Sequence, residues 1–339
     1  MKTTYLGLEL RSPVIVASSP YTADAEHIAR CIHHGAGAVV IKSIFEEEIV
    51  RHAAALSCAS PDAGMGDAGE YLERYLGDEH LARHLQLIEA AYKSGKSGET
   101  AVPVIASINC IAGSDGWADY AAAMERAGAS ALELNIFLQP TDHHLTASEL
   151  ERTYADTVCK VAEAVAIPVA VKLPQRLTNV LAVADALVGR GARGAVLFNR
   201  FFEPDIDIER LAFSVGSPYS HSSELRNVLR TVALCTTAVP QLDIAVSTGV
   251  HDGNAAVKAL LCGARAVQIC TAIHLYGYPV IDTIGAFIDA WADRHGFTSI
   301  EEFRGRMDYG HAADDVYQRT QYMKYYRDLC ETAQAPMNR

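Results

Sequence analysis

Basic residues are in short supply: 29 lysines and arginines stand against 41 aspartates and glutamates in 339 residues, a net charge of −12. A nucleic-acid or anionic-membrane surface needs the opposite balance, so the composition points away from both and towards small-molecule chemistry. Long hydrophobic runs are missing as well. No apolar stretch is unbroken enough to span a bilayer, and no apolar run behind the opening Met1-Lys2-Thr3-Thr4-Tyr5 has the length of a signal peptide. The eight cysteines (31, 58, 110, 159, 235, 262, 270 and 330) contain no Cys-x-x-Cys pair. Clustered thiolates for zinc or an iron–sulfur centre are absent, and no metal is assigned. Several cysteines sit inside apolar runs as small hydrophobes, which fits a reducing, cytoplasmic compartment. Internal repeats and low-complexity tracts are also absent.

What is present is a core. Half of the residues are apolar and 21% are charged, enough to bury a sizeable interior. Short β-branched runs alternate with longer helical patterns, the sign of βα units around a parallel sheet. The runs predict strands at Pro13–Ser18, Ala38–Ile41, Pro103–Ile108, Ala131–Ile136, Pro168–Lys172, Gly194–Phe198, Asp243–Val246 and Ala266–Ile269. Helices are predicted at Ala23–His34, Leu81–Tyr92, Gly116–Arg126, Ala147–Val165, Val180–Val188, Ser223–Thr236, Asn254–Leu261 and Pro279–Asp293. Gly-Ala pairs at 35–36, 128–129, 191–192 and 263–264 precede strands, where glycine supplies a left-handed helix cap. Eight such units predict an α/β fold, a (β/α)8 TIM barrel, as one domain over 1–339. A doubly wound sheet would carry a Gly-rich fingerprint after its first strand, which Ser18-Ser19-Pro20 does not provide. Two insertions, Phe45–Gly77 after the second strand and Arg200–His221 after the sixth, leave from the strand ends where barrels build their sites. Such long loops suit lids or substrate walls. Residues 300–339 form a polar, tyrosine-bearing extension expected on the barrel exterior or in a dimer contact.

Charged and amide side chains at strand ends carry the chemistry. Lys42 and Lys172 each close an apolar strand at the barrel mouth, where a cation must be solvated or paired with an anion. Lys172 has two readings: a Schiff-base amine, or a cation against the electron-rich edge of a reduced flavin. Asn109, Asn135 and Asn199 fall at or just past strand ends. Their amides suit the alternating N–H and C=O groups of an isoalloxazine or pyrimidine ring. Ser247-Thr248-Gly249-Val250 and Gln268-Ile269-Cys270-Thr271-Ala272 are strand-to-helix turns at the last two strands, where barrels hold phosphate.

Along nearly its whole length the chain resembles the FMN-dependent dihydroorotate dehydrogenases. The resemblance is carried by Gly7-Leu8-Glu9-Leu10-x-x-Pro13 with Ala17-Ser18, Ile41-Lys42-Ser43, Glu133-Leu134-Asn135, Val171-Lys172-Leu173-Pro174, Asn199 and the two turns above. It implies an oxidoreductase of pyrimidine biosynthesis, similar to the soluble class 1 type, that passes a hydride from a small cyclic amide or carboxylate such as dihydroorotate to FMN. It further implies a soluble electron acceptor and a homodimer. The implied FMN site is Ala17, Ser18, Lys42, Ser43, Asn109, Asn135, Lys172, Asn199, Thr248, Gly249, Cys270 and Thr271, with Lys172 stabilising the reduced flavin.

The substrate wall departs from that pattern. Where the family places a cysteine or serine base, this chain has Leu138, within Asn135-Ile136-Phe137-Leu138-Gln139-Pro140. Leucine takes no proton. The family's Asn-rich loop after the second strand has no counterpart, because Phe45–Gly77 contains no asparagine, and Arg200 follows Asn199 where a small polar residue is usual. A substitute base is expected from His143 or His144, since histidine is the side-chain type suited to proton transfer near neutral pH, with Cys110 as a lesser candidate. Asn135, Asn199 and Arg200 are the expected substrate contacts. Arg200 would fork a carboxylate or pair with Glu203 or Asp205. Two other readings stay open: a Schiff-base lyase using Lys172, and a flavin-binding protein without dihydroorotate turnover or dependent on a partner subunit.

Overall fold

Strands made of valine, isoleucine and alanine bury both faces, and in a computed structural model of the chain eight of them close on themselves. The structure describes residues 1–48, 51, 66–95, 101–111, 113–114, 116–138, 140–201, 204–312 and 317. An antiparallel hairpin comes first, β1 (Thr3–Tyr5) and β2 (Leu8–Leu10). The barrel strands follow: β3 (Val14–Val16), β4 (Ala38–Val40), β6 (Val104–Asn109), β7 (Ala131–Leu134), β8 (Val169–Pro174), β9 (Gly194–Asn199), β12 (Asp243–Val246) and β13 (Ala266–Ile269). Each pairs in parallel with the next, β4 pairs with β6, and β13 returns to β3, so no edge is left. A short strand, β5 (Ile44–Phe45), adds to the end of β6. This is the closed (β/α)8 barrel expected from the alternation of patterns.

Around it run α1 (Ala25–His33), α2 (Gly66–Gly95), α3 (Gly116–Arg126), α4 (Ala147–Ala164), α5 (Val180–Gly189), α6 (Leu225–Ala238), α7 (Gly253–Leu261), α8 (Thr271–Tyr276) and α9 (Val280–His295). Their starts are written locally: the side chains of Asp24, Thr146, Asn179 and Asp252 accept N-cap hydrogen bonds. The Gly-Ala pairs turn as expected; at Gly263 (φ 106°) a Cβ would lie 2.6 Å from the Thr236 hydroxyl.

The barrel interior is layered. Ile15, Ala38, Ile105, Ala131, Ala170, Val196, Ala245 and Ala266 pack inward, and Tyr5, Leu6 and Leu10 of the β1–β2 hairpin cluster with them. Gly194 makes room for this plug, since a Cβ there would meet Leu6 at 2.5 Å. The Leu6 amide donates to Asp243 Oδ2 at 2.7 Å, fixing the hairpin to β12. The sequence gives only a motif here, because two three-residue strands carry too little period to read.

Both insertions hold structure of their own. The first begins with β5 and ends inside α2, which starts at Gly66; residues 49–50 and 52–65 of it lie outside the described residues. The second contains an antiparallel hairpin, β10 (Pro204–Asp207) and β11 (Ala212–Val215). Beyond α9, Phe303 is fully buried, and the amides of Gly305, Met307 and Tyr309 donate to carbonyls of Leu260, Leu261 and Ala233. This part of the C-terminal extension therefore lies on α6 and α7. Tyr322, Tyr325 and Tyr326 lie outside the described residues.

Candidate active site

Two cavities open at the C-terminal ends of the strands. The smaller, about 220 Å³, is lined by Ala17, Ser18, Lys172, Asn199, Arg200, Pro218, Ser220, Ser247, Thr248, Gly249, Val250, Gln268, Cys270 and Thr271. Eight of the twelve residues implied for a cofactor are therefore together. Ser43 adjoins them: its backbone amide donates to the Ser18 hydroxyl at 2.9 Å, and its own hydroxyl lies 3.0 Å from Ser18 and 2.8 Å from Ser107. Asn135 joins through Asn199, whose Nδ2 donates to Asn135 Oδ1 at 2.6 Å.

Two residues of that set go elsewhere. Lys42 lies over the Phe45 ring at 4.5 Å and lines a separate cavity of about 420 Å³ that also touches α1 and α2. Burial holds its amine below the ordinary lysine value, partly offset by Glu48. Asn109 is buried at the end of β6 and lines neither cavity at the barrel mouth.

At the floor of the smaller cavity is an arrangement that motif reading missed. Lys172 Nζ donates to Gln268 Oε1 at 3.1 Å and lies 3.5 Å from Glu133 Oε1, while Gln268 Nε2 donates to Glu133 Oε2 at 2.5 Å. All three side chains are buried. The ring is closed: each member satisfies the other two, as buried charges require. Strand parity could have found it. Ala131 and Glu133, Ala170 and Lys172, and Ala266 and Gln268 each stand two residues apart on one strand, so all six face the same way. A small alanine layer thus supports a polar one.

The turn side is equally built. Thr248 and Gly249 both have φ of 77°, and a Cβ on Gly249 would sit 2.5 Å from the Leu225 nitrogen. Ser220, from the second insertion, is a hub: its hydroxyl lies 2.9 Å from His251 Nε2, donates to Thr271 Oγ1 at 3.2 Å and accepts from the Gly249 amide at 3.4 Å. Burial lowers His251 below the usual histidine value, against the raising effect of Asp252 and Glu224. The Cys270 thiol is pushed up by burial, with the Ser19 hydroxyl and the Lys172 charge pulling the other way. Hydroxyls and a backbone amide converging beside one turn with two positive-φ residues form a cradle for an anion.

The larger cavity, about 590 Å³, shares Asn199, Arg200 and Thr248 with the smaller one. Its wall is Phe137, Leu138, Pro140, Leu150, Tyr154, Pro174, Gln175, Arg176, Leu177, Phe201, Pro204 and Glu224. Leu138 thus faces a cavity, with no proton to exchange. Tyr154 is buried and pushed up to about 12 by desolvation, against the lowering effect of the Leu138 amide. Arg200 does not pair with Asp205. Its Nε donates to Glu224 Oε2 at 3.2 Å and its Nη1 to the Ser217 carbonyl at 3.0 Å, and Glu203 lies outside the described residues.

The expected bases are not brought to this wall. His143 and His144 are exposed, stack on each other with centroids 3.9 Å apart, and line neither cavity. Cys110 is buried beside Glu46 and Glu47; desolvation and those charges raise its thiol far above the usual range. A paired-histidine motif in a polar loop is solvated here, whereas Glu224 reaches the cavity from the turn just past the second insertion, ahead of α6.

A closed barrel with a cation at its floor and paired turns at its last two strands defines a cofactor- or phosphate-holding α/β-barrel enzyme. Comparison narrows the class: residues 1–290 match the family model of dihydroorotate dehydrogenase. The chain belongs to the dihydroorotate dehydrogenase family, oxidoreductases acting on CH–CH groups. It is 29% identical over 305 residues to the catalytic subunit of dihydroorotate dehydrogenase B (NAD(+)) of Methanosarcina acetivorans, covering 88% of this chain and 93% of that protein. It is 31% identical over 229 residues to a putative dihydroorotate dehydrogenase A (fumarate) of Aeropyrum pernix, covering 63% and 70%. The chloroplastic dihydropyrimidine dehydrogenase (NADP(+)) of Arabidopsis thaliana is 24% identical over 329 residues, covering 90% and 76%.

Proposed function

We propose that the chain is an FMN-dependent oxidoreductase that acts on the CH–CH group of a small carboxylate or cyclic amide. The observation that carries this is the buried Lys172–Gln268–Glu133 ring beneath a cavity edged by the two turns. The donor set suits FMN: the Gly249 position has no room for a Cβ, and the buried Ser19 hydroxyl stands beside Cys270. When bound, the flavin supplies a two-electron acceptor.

The chain's own residues supply the rest. The amides around Thr248–Gly249 and Thr271, with the Ser220 hydroxyl, would hold its phosphate. Lys172 Nζ would set a cation against the edge of the flavin that becomes electron-rich on reduction, and Glu133 and Gln268 fix the amine's position. Ala17, Ser18 and Ser43 would border the ring, and Asn135 and Asn199 would form its amide wall. Glu224 is the sole carboxylate on the larger cavity among the described residues, and it takes the substrate proton at a carboxylate oxygen in place of His143 and His144. A Schiff-base role for Lys172 fits less well, since that role needs a neutral amine and Lys172 stands in an ion pair.

Six cysteines among the described residues are free, and no helix among those residues is long and apolar enough to cross a membrane; the first supports a reducing, cytoplasmic setting. The hairpin of the second insertion exposes Ile206 and its cross-strand partner Phe213, which supports association of two copies. The test is an anaerobic titration. The purified protein is expected to be yellow, and a family substrate added without oxygen is expected to bleach its flavin band. A protein that takes up no FMN on reconstitution would overturn the reading.

A further inference from the structure

The turn after β12 runs Thr248-Gly249-Val250-His251-Asp252, and His251 belongs to no motif in it. Its imidazole is buried, and the next side chain, Asp252, pins the backbone by accepting the Ala255 amide at 2.8 Å as the cap of α7. The ring's Nε2 lies 2.9 Å from the Ser220 hydroxyl. Ser220 is held from its own side as well, because Tyr219 stacks on His274 of α8 with centroids 3.7 Å apart and 11° between the planes. Two fixed segments therefore meet at one hydrogen bond beside the smaller cavity.

Counting protons fixes the direction of each bond in this network. Ser220 has one hydroxyl proton, and it goes to Thr271 Oγ1 at 3.2 Å. The lone pairs of Ser220 Oγ are then open to donors. The Gly249 amide fills one at 3.4 Å and His251 fills the other, which places the imidazole proton on Nε2. Thr271 Oγ1 accepts from Ser220 twice, from the hydroxyl and from the backbone amide, each at 3.2 Å. With both lone pairs taken, its own proton has to point away from Ser220. Thr271 lines the smaller cavity, and its hydroxyl donates to no protein group among the described residues. That proton is left for a ligand oxygen. Burial lowers His251 below the usual histidine value, so a neutral ring in one tautomer is enough to set the order.

We propose that His251 is a positioning residue for a phosphate monoester: acting through Ser220, it aims the Thr271 hydroxyl into the smaller cavity as a fixed donor. The part of Ser220 in the cradle is thereby indirect. The ligand rests on the FMN reading; the order of the protons does not. A hydroxyl already turned toward the anion has no reorientation to make on binding. Without the His251 N–H, Ser220 can accept from Thr271 instead, and the donor is withdrawn.

The experiment measures the affinity of the full chain for FMN and for riboflavin, which lacks the phosphate, by flavin fluorescence, and for inorganic phosphate by calorimetry. His251→Leu is expected to weaken FMN roughly tenfold and to leave riboflavin within about twofold. His251→Gln, which keeps a side-chain N–H, should recover part of the loss, and Thr271→Val, which removes the donor itself, should weaken FMN at least as much as His251→Leu. In a Ser220→Ala background His251→Leu should have almost no further effect, because the intermediary is gone. FMN binding indifferent to His251→Leu, an equal loss for riboflavin, or full additivity with Ser220→Ala would overturn the proposal and leave the flavin reading standing. Inorganic phosphate that binds with this His251–Ser220 coupling while neither flavin binds would sink the flavin reading alone. A chain that takes up none of the three overturns both.

Discussion

The two halves of the barrel mouth are built on different terms. On the side of β12, β13 and β3 every group is crowded and mutually bonded: Gly249 has no room for a Cβ, and Ser220, His251 and Thr271 share one set of hydrogen bonds. On the side of β7, β8 and β9 the wall is made of side chains that mainly fill space, such as Phe137, Leu138, Leu177 and Phe201. One half is specified by backbone and polar geometry, the other by bulk. The difference shows why the cofactor side reads as the family while the substrate side does not.

The comparison breaks most visibly at the floor. Lys172→Met is expected to leave Glu133 buried without its cation and to lower stability by about 3–5 kcal/mol, seen as a shift in the urea midpoint. Adding Glu133→Gln should recover much of that stability without recovering flavin reduction, which separates folding from function. Next comes the proton acceptor: Glu224→Gln is expected to slow substrate-dependent bleaching by roughly 10²-fold or more with a smaller change in binding. His143→Ala with His144→Ala should leave that rate unchanged, and a stopped-flow comparison of the two variants decides between them.

Smaller effects sharpen the cofactor side. Gly249→Ala is expected to cost about 1–3 kcal/mol in strain, because alanine is poorly suited to φ of 77° and its methyl meets Leu225. FMN retention, followed by fluorescence quenching, should weaken with it. Smallest is the pH effect at His251. Its folded value lies below the unfolded value of about 6.5, so the folded state binds fewer protons. Stability from this group is complete above about pH 6.5 and is lost as pH falls through the lower folded value. His251→Gln should flatten that part of the thermal-midpoint profile.

Much of this was legible in the sequence. The β12 and β13 limits match the apolar runs, since a strand buried on both faces announces itself by composition. The turns and Lys172 were legible too, because a lysine closing an apolar run has few innocent explanations. Glu133 and Gln268 were visible only as motif letters, and their role appears when three strands are laid side by side with the correct parity. His143 and His144 misled because adjacency in sequence says nothing of direction. Glu224 was silent, since a glutamate ahead of a helix looks like any other first-turn acid. The partner of Arg200 lies 24 residues away across an inserted hairpin, a separation no local pattern spans.

The closed ring of Lys172, Glu133 and Gln268 also constrains how this chain can change over generations. Replacing any one member strands the other two, so single substitutions there pass through a poorly folded ancestor, and only simultaneous exchanges are open. Leu138, Phe137 and Phe201 carry no such obligation and can be swapped one at a time for residues of similar bulk. Change in such a barrel is therefore expected to hold the buried ring fixed and to run along the wall, where Leu138 stands.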